Sequence, residues 1–167
     1  MSPSSERHPD WPAKFHPRSH LIDALERLPR PWVFTNGVFD LLHRGHVSYL
    51  AKARSLGASL IVALNSDASV RLLDKGADRP VNPEMDRAWV IGALESVSLV
   101  TLFDEPNPLK LLQELKPDWY VKGGDYDMAR LPEAELMRHW GGQSQAIDYL
   151  PGRSSSMIIK RLRMTGR

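Results

Sequence analysis

Residues 32–46 read WVFTNGVFDLLHRGH and hold one strand, one loop and the start of one helix. Trp32 to Thr35 is a short apolar run suited to a buried strand. Asn36 to Asp40 is its loop, and His43-Arg44-Gly45-His46 opens a segment whose Val47, Leu50 and Ala51 follow helical spacing up to Gly57. The same unit recurs downstream. Leu60 to Leu64 (LIVAL), Ser98 to Phe103, Trp119 to Val121 and Ala146 to Leu150 are further strand candidates. Helical patterns at Met85 to Leu94, at Leu109 to Leu115 and around Ile158, Ile159 and Leu162 lie between or after them, and a further one at Leu21 to Leu28 precedes the first strand. Continuous apolar strands alternating with helices predict an α/β fold with a five-stranded parallel sheet covered on both faces.

The chain has 167 residues, 42% apolar and 25% charged, which predicts one domain with a sizeable core and excludes disorder and collagen-like repeats. Residues 1–18, rich in Pro, Ser, His and charge, read as a flexible N-terminal arm, leaving 19–167 as the single domain. The net charge of +2 gives no basic stripe for nucleic acid. Lys160, Arg161, Arg163 and Arg167 read instead as charges that complement a helix C-terminus. Without cysteine there is no thiolate metal site and no thiol nucleophile. No apolar run exceeds seven residues, far below a membrane span, and the first residues lack an apolar signal core, so a cytoplasmic protein is expected.

Ligands of open parallel sheets sit beyond the carboxyl ends of the strands, and the unusual residues of this chain follow its strands. Gly45 lets a ligand approach a helix N-terminus, where backbone N–H groups favour phosphate, and His43 and His46 flank that end. A shared metal or a purely structural pair of histidines are the other readings of the two imidazoles. Arg153-Ser154-Ser155-Ser156 opens the C-terminal helix as a second phosphate cradle or, alone, as an ordinary N-cap. Lys122-Gly123-Gly124-Asp125 leaves a strand through two glycines, as a turn or as a surface for a flat base and a ribose. Lys75 and Arg79 are long cations on a glycine-containing loop; Arg79 taken alone reads as a solvated surface charge. Tyr126 and the tryptophans read as core or rim packing. Neither GxxxxGK[ST] nor GxGxxG occurs, which disfavours Walker-type kinases and dinucleotide oxidoreductases.

In that order, Thr35 to His46, Asn65-Ser66-Asp67, Arg79-Pro80-Val81-Asn82-Pro83, Lys122-Gly123-Gly124-Asp125-Tyr126 and Arg153-Ser154-Ser155-Ser156 resemble the HxGH nucleotidyltransferases. Among these the similarity is greatest to the branch acting on heptose 1-phosphates, and it covers about residues 20 to 163. The resemblance implies a Rossmann-like, three-layer nucleotidyltransferase fold. It implies an adenylyl transfer from ATP to D-glycero-β-D-manno-heptose 1-phosphate, giving ADP-heptose and pyrophosphate for the lipopolysaccharide inner core. Mg²⁺ or another divalent cation would accompany the phosphates, with no metal ligand assigned, and a homo-oligomer is a mild expectation. Glycerol 3-phosphate with CTP, phosphopantetheine with ATP, and a non-catalytic nucleotide sensor are the alternatives.

Carried over by position, His43, His46, Lys75 and Arg87 are the implied catalytic residues. Asn36, Gly37, Val38, Phe39, Gly45, His46, Lys122, Gly123, Gly124, Asp125, Arg153, Ser154, Ser155 and Ser156 are the implied nucleotide site. Asp40, Asn65, Asp67, Lys75 and Asp125 are the implied sugar-phosphate site. Many relatives have Thr, Ser or Cys where this chain has Val38, so only a backbone N–H can serve there.

Overall fold

A computed structural model describes residues 11–73, 76, 78–124, 126–148, 150–152 and 154–165. Five strands, β1 (Trp32–Gly37), β2 (Ser59–Asn65), β3 (Leu99–Phe103), β4 (Trp119–Gly123) and β5 (Gln143–Ile147), form one sheet in the order β3-β2-β1-β4-β5. All its pairings are parallel. Among the described residues, seven α-helices connect or flank them: α1 (Leu21–Leu25), α2 (Arg44–Arg54), α3 (Asp67–Leu72), α4 (Glu84–Gly92), α5 (Leu109–Leu115), α6 (Pro132–Arg138) and α7 (Ser155–Thr165). This is the expected Rossmann-like α/β fold.

Strand alternation divides the core into two layers. Phe34, Ile61, Ala63 and Tyr120 pack with Leu111 and Leu112 of α5 and Met137 of α6 on one face. Val33, Leu60, Val62, Leu64 and Val121 pack with Tyr49 and Leu50 of α2 and Ala88 and Ile91 of α4 on the other. The order in which strands are added reverses between β1 and β4, and a crevice opens at the carboxyl ends of these strands, as such switch points require.

Three expectations are corrected. Part of the segment read as a loose arm is docked: Trp11–Lys14 forms a short 3₁₀ helix, and Phe15 bridges to Val100 of β3. The His16 N–H also donates to the Val100 carbonyl at 2.9 Å. Arg18 then pairs with Glu105 and Glu114 at 2.8 and 2.7 Å. The cause is the edge of β3, whose open hydrogen-bonding groups this segment covers. The last strand lies at Gln143–Ile147 rather than Ala146–Leu150, because an edge strand exposed at Gln143 and Gln145 carries no apolar run. Two short helices, α3 and α6, were not expected from periodicity.

Candidate active site

At the carboxyl edge of the sheet a cavity of about 400 Å³ is lined by Asn36, Gly37, Val38, Phe39, Asp40, His46, Asn65, Lys122, Gly123, Ser155 and Ser156, all expected from the sequence. Arg79, Asn107, Tyr126 and Glu133 complete the polar part of its wall.

His43 caps α2: its Nδ1 accepts the Gly45 N–H at 3.1 Å, and its carbonyl accepts the His46 N–H at 2.9 Å. A neutral imidazole accepting at Nδ1 carries its proton on Nε2, so this cap also fixes the tautomer. The His43 and His46 rings stack with centroids 3.9 Å apart. Burial, and secondarily the neighbouring His43, pushes the His46 pKa down to about 4, so His46 is neutral at physiological pH. Its place is held from beneath, since the Tyr49 hydroxyl in the next turn of α2 lies 2.6 Å from Thr35 Oγ1 of β1 and donates to the Val121 carbonyl of β4 at 3.1 Å.

The loop after β1 has a local reason for its glycine. Phe39 adopts φ 48°, in the left-handed region, and its ring lies 5.2 Å from that of His46. A Cβ on Gly37 would stand 2.9 Å from the Phe39 ring. Gly124, at φ 121°, turns the chain out of β4 while its N–H donates to the Ile147 carbonyl.

The second helix start lies beside the first. Ser154 Oγ accepts the Met157 N–H at 3.2 Å, and Ser155 Oγ donates to the Leu41 carbonyl at 3.0 Å, tying α7 to the loop that leads into α2. His43 and Ser154 both line a smaller cavity of about 170 Å³.

Four side chains stand differently from expectation. Arg87 does not face the phosphate crevice but is 1% exposed. It donates to the carbonyls of Asn82, Val38 and Asn65 and pairs with Asp67 Oδ1 at 2.7 Å. A guanidinium removed from water must be met on all sides, which makes it a tie between loops. Asp67 is accordingly turned to Arg87 and does not line the cavity. Asp40 reaches the wall, but its carboxylate is filled by the Val81 and Asn82 N–H groups and by Arg79 Nε at 2.8 Å. Arg79 is therefore no solvated charge: its side chain is 13% exposed and stands in the cavity wall. Lys75, Asp125 and Arg153 lie outside the described residues.

Glu133 was missed because α6 was missed, although Pro132 followed by acidic residues is a helix-start signal. Beside it the buried Tyr120 hydroxyl donates to Asn36 Oδ1 at 3.1 Å. Burial, with Glu133 second, holds that phenol protonated well above its ordinary range.

The cytidylyltransferase-like family profile matches residues 34–161. The D-beta-D-heptose 1-phosphate adenylyltransferase of Bordetella bronchiseptica is 52% identical over 153 residues, which cover 90% of this chain and 94% of that protein. The bifunctional protein HldE of Streptomyces coelicolor is 55% identical over 129 residues, but these are 77% of this chain and only 28% of that protein. Among solved structures, a lipopolysaccharide core biosynthesis protein from Thermoplasma volcanium matches with a TM-score of 0.58 at 31% identity, covering 71% of this chain and 95% of that one. A pantoate-beta-alanine ligase from Francisella tularensis, at 17% identity and a TM-score of 0.59 over 85% of this chain and 68% of that one, shares the fold.

Proposed function

Because the chain belongs to the cytidylyltransferase-like family, we propose that it transfers AMP from ATP to D-glycero-β-D-manno-heptose 1-phosphate, releasing pyrophosphate and giving ADP-heptose. The chain is a nucleotidyltransferase, and its product serves lipopolysaccharide core synthesis. The observation that carries the reading is the meeting of two helix starts, His43 to His46 and Ser154 to Ser156, at one crevice of the sheet. That arrangement suits a chain of phosphates.

A sugar phosphate has a second pKa near ~6 and arrives largely ionised, so no general base is needed. Its oxygen attacks the α-phosphorus of ATP in line, the bond from that phosphorus to the bridging oxygen breaks, and pyrophosphate leaves with the electron pair. The chain aligns the two and meets the charge that builds. His46, neutral, offers an N–H to the α-phosphate oxygens, and His43, with its proton on Nε2, offers a second. Ser155, Ser156 and the start of α7 receive the β- and γ-phosphates.

Among the described residues no three His, Asp or Glu side chains form a metal cluster. Asp40 and Asp67 are committed to Arg79 and Arg87. These residues do not fit a resident cation, so Mg²⁺ would enter on the triphosphate, held by phosphate and water. No helix among the described residues is long and apolar enough to cross a membrane, and we place the reaction in the cytoplasm.

The test is pyrophosphate release from ATP with Mg²⁺, comparing the β-heptose 1-phosphate, its α anomer, glycerol 3-phosphate and no acceptor. Release with the β-heptose phosphate, with ADP-heptose seen by mass spectrometry, is the expected result. Release only with another acceptor overturns the substrate, and silence with all of them overturns the enzyme.

A further inference from the structure

Strands β2 and β3 end side by side, with Asn65 paired to Phe103, and the segments that follow them are joined. The Ser66 N–H donates to the Phe103 carbonyl at 2.9 Å, and Ser69 Oγ donates to the Glu105 carbonyl at 2.7 Å. Ser69 is fully buried. Its single hydroxyl proton is spent on Glu105, so toward Asn65 its oxygen can act as an acceptor alone, and Asn65 Nδ2 donates to it at 2.9 Å. A flipped amide would set two acceptor oxygens against each other in a buried place, so the Asn65 amide is held in one orientation. Asn65 lines the cavity, and the Oδ1 that faces away from Ser69 is the atom it offers there.

A second amide on the same wall has the opposite polarity. Asn107 stands in Pro106-Asn107-Pro108, the turn from β3 into α5, and all three residues line the cavity. Each proline ring fixes its own φ, and Pro108 restricts Asn107 to extended backbone, so the turn is stiff. Arg18 braces it from outside, pairing with Glu105 at 2.8 Å and with Glu114 of α5 at 2.7 Å. Asn107 Oδ1 accepts the Leu109 N–H at 3.2 Å, which leaves Nδ2 as the group offered to a ligand. Leu73 and the two prolines supply apolar surface beside the amides, and none of these five side chains is charged.

One fixed acceptor and one fixed donor among apolar groups suit a carbon frame bearing neutral hydroxyls, each of which can give or take a hydrogen bond. In the adenylyl transfer the nucleotide takes the β4 side and the starts of α2 and α7, which leaves the ends of β2 and β3 to the acceptor. We propose that Asn107 is a specificity-determining residue for the acceptor, donating from Nδ2 to one hydroxyl of the sugar phosphate, and that Ser69 is the positioning residue that turns Asn65 Oδ1 to a second hydroxyl. This rests on the reading of the acceptor as a sugar 1-phosphate.

The experiment measures steady-state pyrophosphate release by the full chain, varying ATP and heptose 1-phosphate separately, for the wild type, Asn107→Ser and Ser69→Ala. The serine hydroxyl keeps an acceptor for the Leu109 N–H but is too short to replace the Nδ2 donor. Asn107→Ser raises the KM for the sugar phosphate about 5- to 15-fold while the KM for ATP stays within about twofold. Singly deoxygenated heptose 1-phosphates identify the contact: for one of them the wild type and Asn107→Ser have the same KM, because the hydrogen bond is already gone. Ser69→Ala releases the Asn65 amide and shows the same pattern with a different deoxygenated compound. Asn107 is exposed, so Asn107→Ser folds and decides the matter if Ser69→Ala does not. An unchanged KM for the sugar phosphate in Asn107→Ser, an equal rise in the KM for ATP, or a variant penalty that persists with every deoxygenated compound overturns the proposal. Coupling in Asn107→Ser but none in a folded Ser69→Ala overturns the part given to Ser69. A wild type inactive with every sugar 1-phosphate overturns the functional reading and this inference with it, whereas an active wild type with unaltered variants overturns this inference alone.

Discussion

The imidazoles of His43 and His46 lie face to face, centroids 3.9 Å apart and planes inclined by 26°. Two cations would repel at that separation, and burial, with the neighbouring His43 second, holds His46 neutral. Its role is that of a donor to charge that grows in the transition state. His46→Ala is expected to lower kcat about 100-fold or more while the Kd for ATP moves only several-fold. Single-turnover kinetics beside calorimetric ATP titration separates the two, and near-normal turnover would remove His46 from the chemistry.

The same histidine links stability to pH. Its folded pKa of about 4 lies below the ordinary 6.5, so between these values the unfolded chain binds more protons than the folded one. The sign follows: stability is fully present above about pH 6.5 and falls as pH is lowered toward 4. A His46→Gln protein should show a shallower decline of Tm across that window. Parallel slopes for the two proteins would mean that His46 is not the residue responsible.

Arg87 is expected to behave as a structural tie. Truncation to Ala leaves Asp67 and three carbonyls without their donor, at a cost of about 3–5 kcal/mol. In a domain of this size that corresponds to a Tm lower by roughly 10 °C. Lysine cannot reproduce the planar fork, so Arg87→Lys should lose much of the same stability while keeping the KM for ATP within about threefold at a temperature well below its Tm. A stable Arg87→Lys with a sharply raised KM for ATP would restore the phosphate-binding role.

How far such roles can be read without coordinates depends on where a residue's partners come from. Strands β1 and β2 are legible because the apolar runs Trp32 to Phe34 and Leu60 to Leu64 are buried on both faces, and α5 is legible to the residue at Leu109–Leu115. Strand β5 is not, because pairing to β4, rather than apolar content, makes it a strand. His43, His46 and the serines are legible because a helix start is a local object. Arg87 and Arg79 differ from surface cations through tertiary partners, among them Asp67 and Asp40, which reach them across 20 and 39 positions of chain. Charge is visible in a sequence, whereas the acceptor it meets is set by tertiary contact.

Gly37 offers a test of geometry without charge. Its missing Cβ makes room for the Phe39 ring, which in turn lies against His46. Gly37→Ala should fold, since only a side-chain ring obstructs it, but the ring must shift toward the imidazole. Misplacement of an ångström costs up to about 100-fold, so kcat is expected to fall at least about tenfold with a Tm within a few degrees of the wild type. Unchanged kcat would show that Phe39 does not position His46.

Arg79 completes the set, because its Nε is held by Asp40 while the side chain lines the cavity. Fixing one edge of a guanidinium leaves its terminal amino groups pre-aimed, the arrangement suited to phosphate oxygens. Arg79→Ala should lower kcat/KM by about 100-fold, and Arg79→Lys should recover little, since an ammonium cannot both reach Asp40 and fork onto a phosphate. Asp40→Asn tests the coupling. If Asp40 acts by aiming Arg79, the double variant Asp40→Asn/Arg79→Ala is no worse than Arg79→Ala in kcat/KM, measured well below the Tm of each protein. Losses that multiply would mean that Asp40 and Arg79 serve the reaction separately.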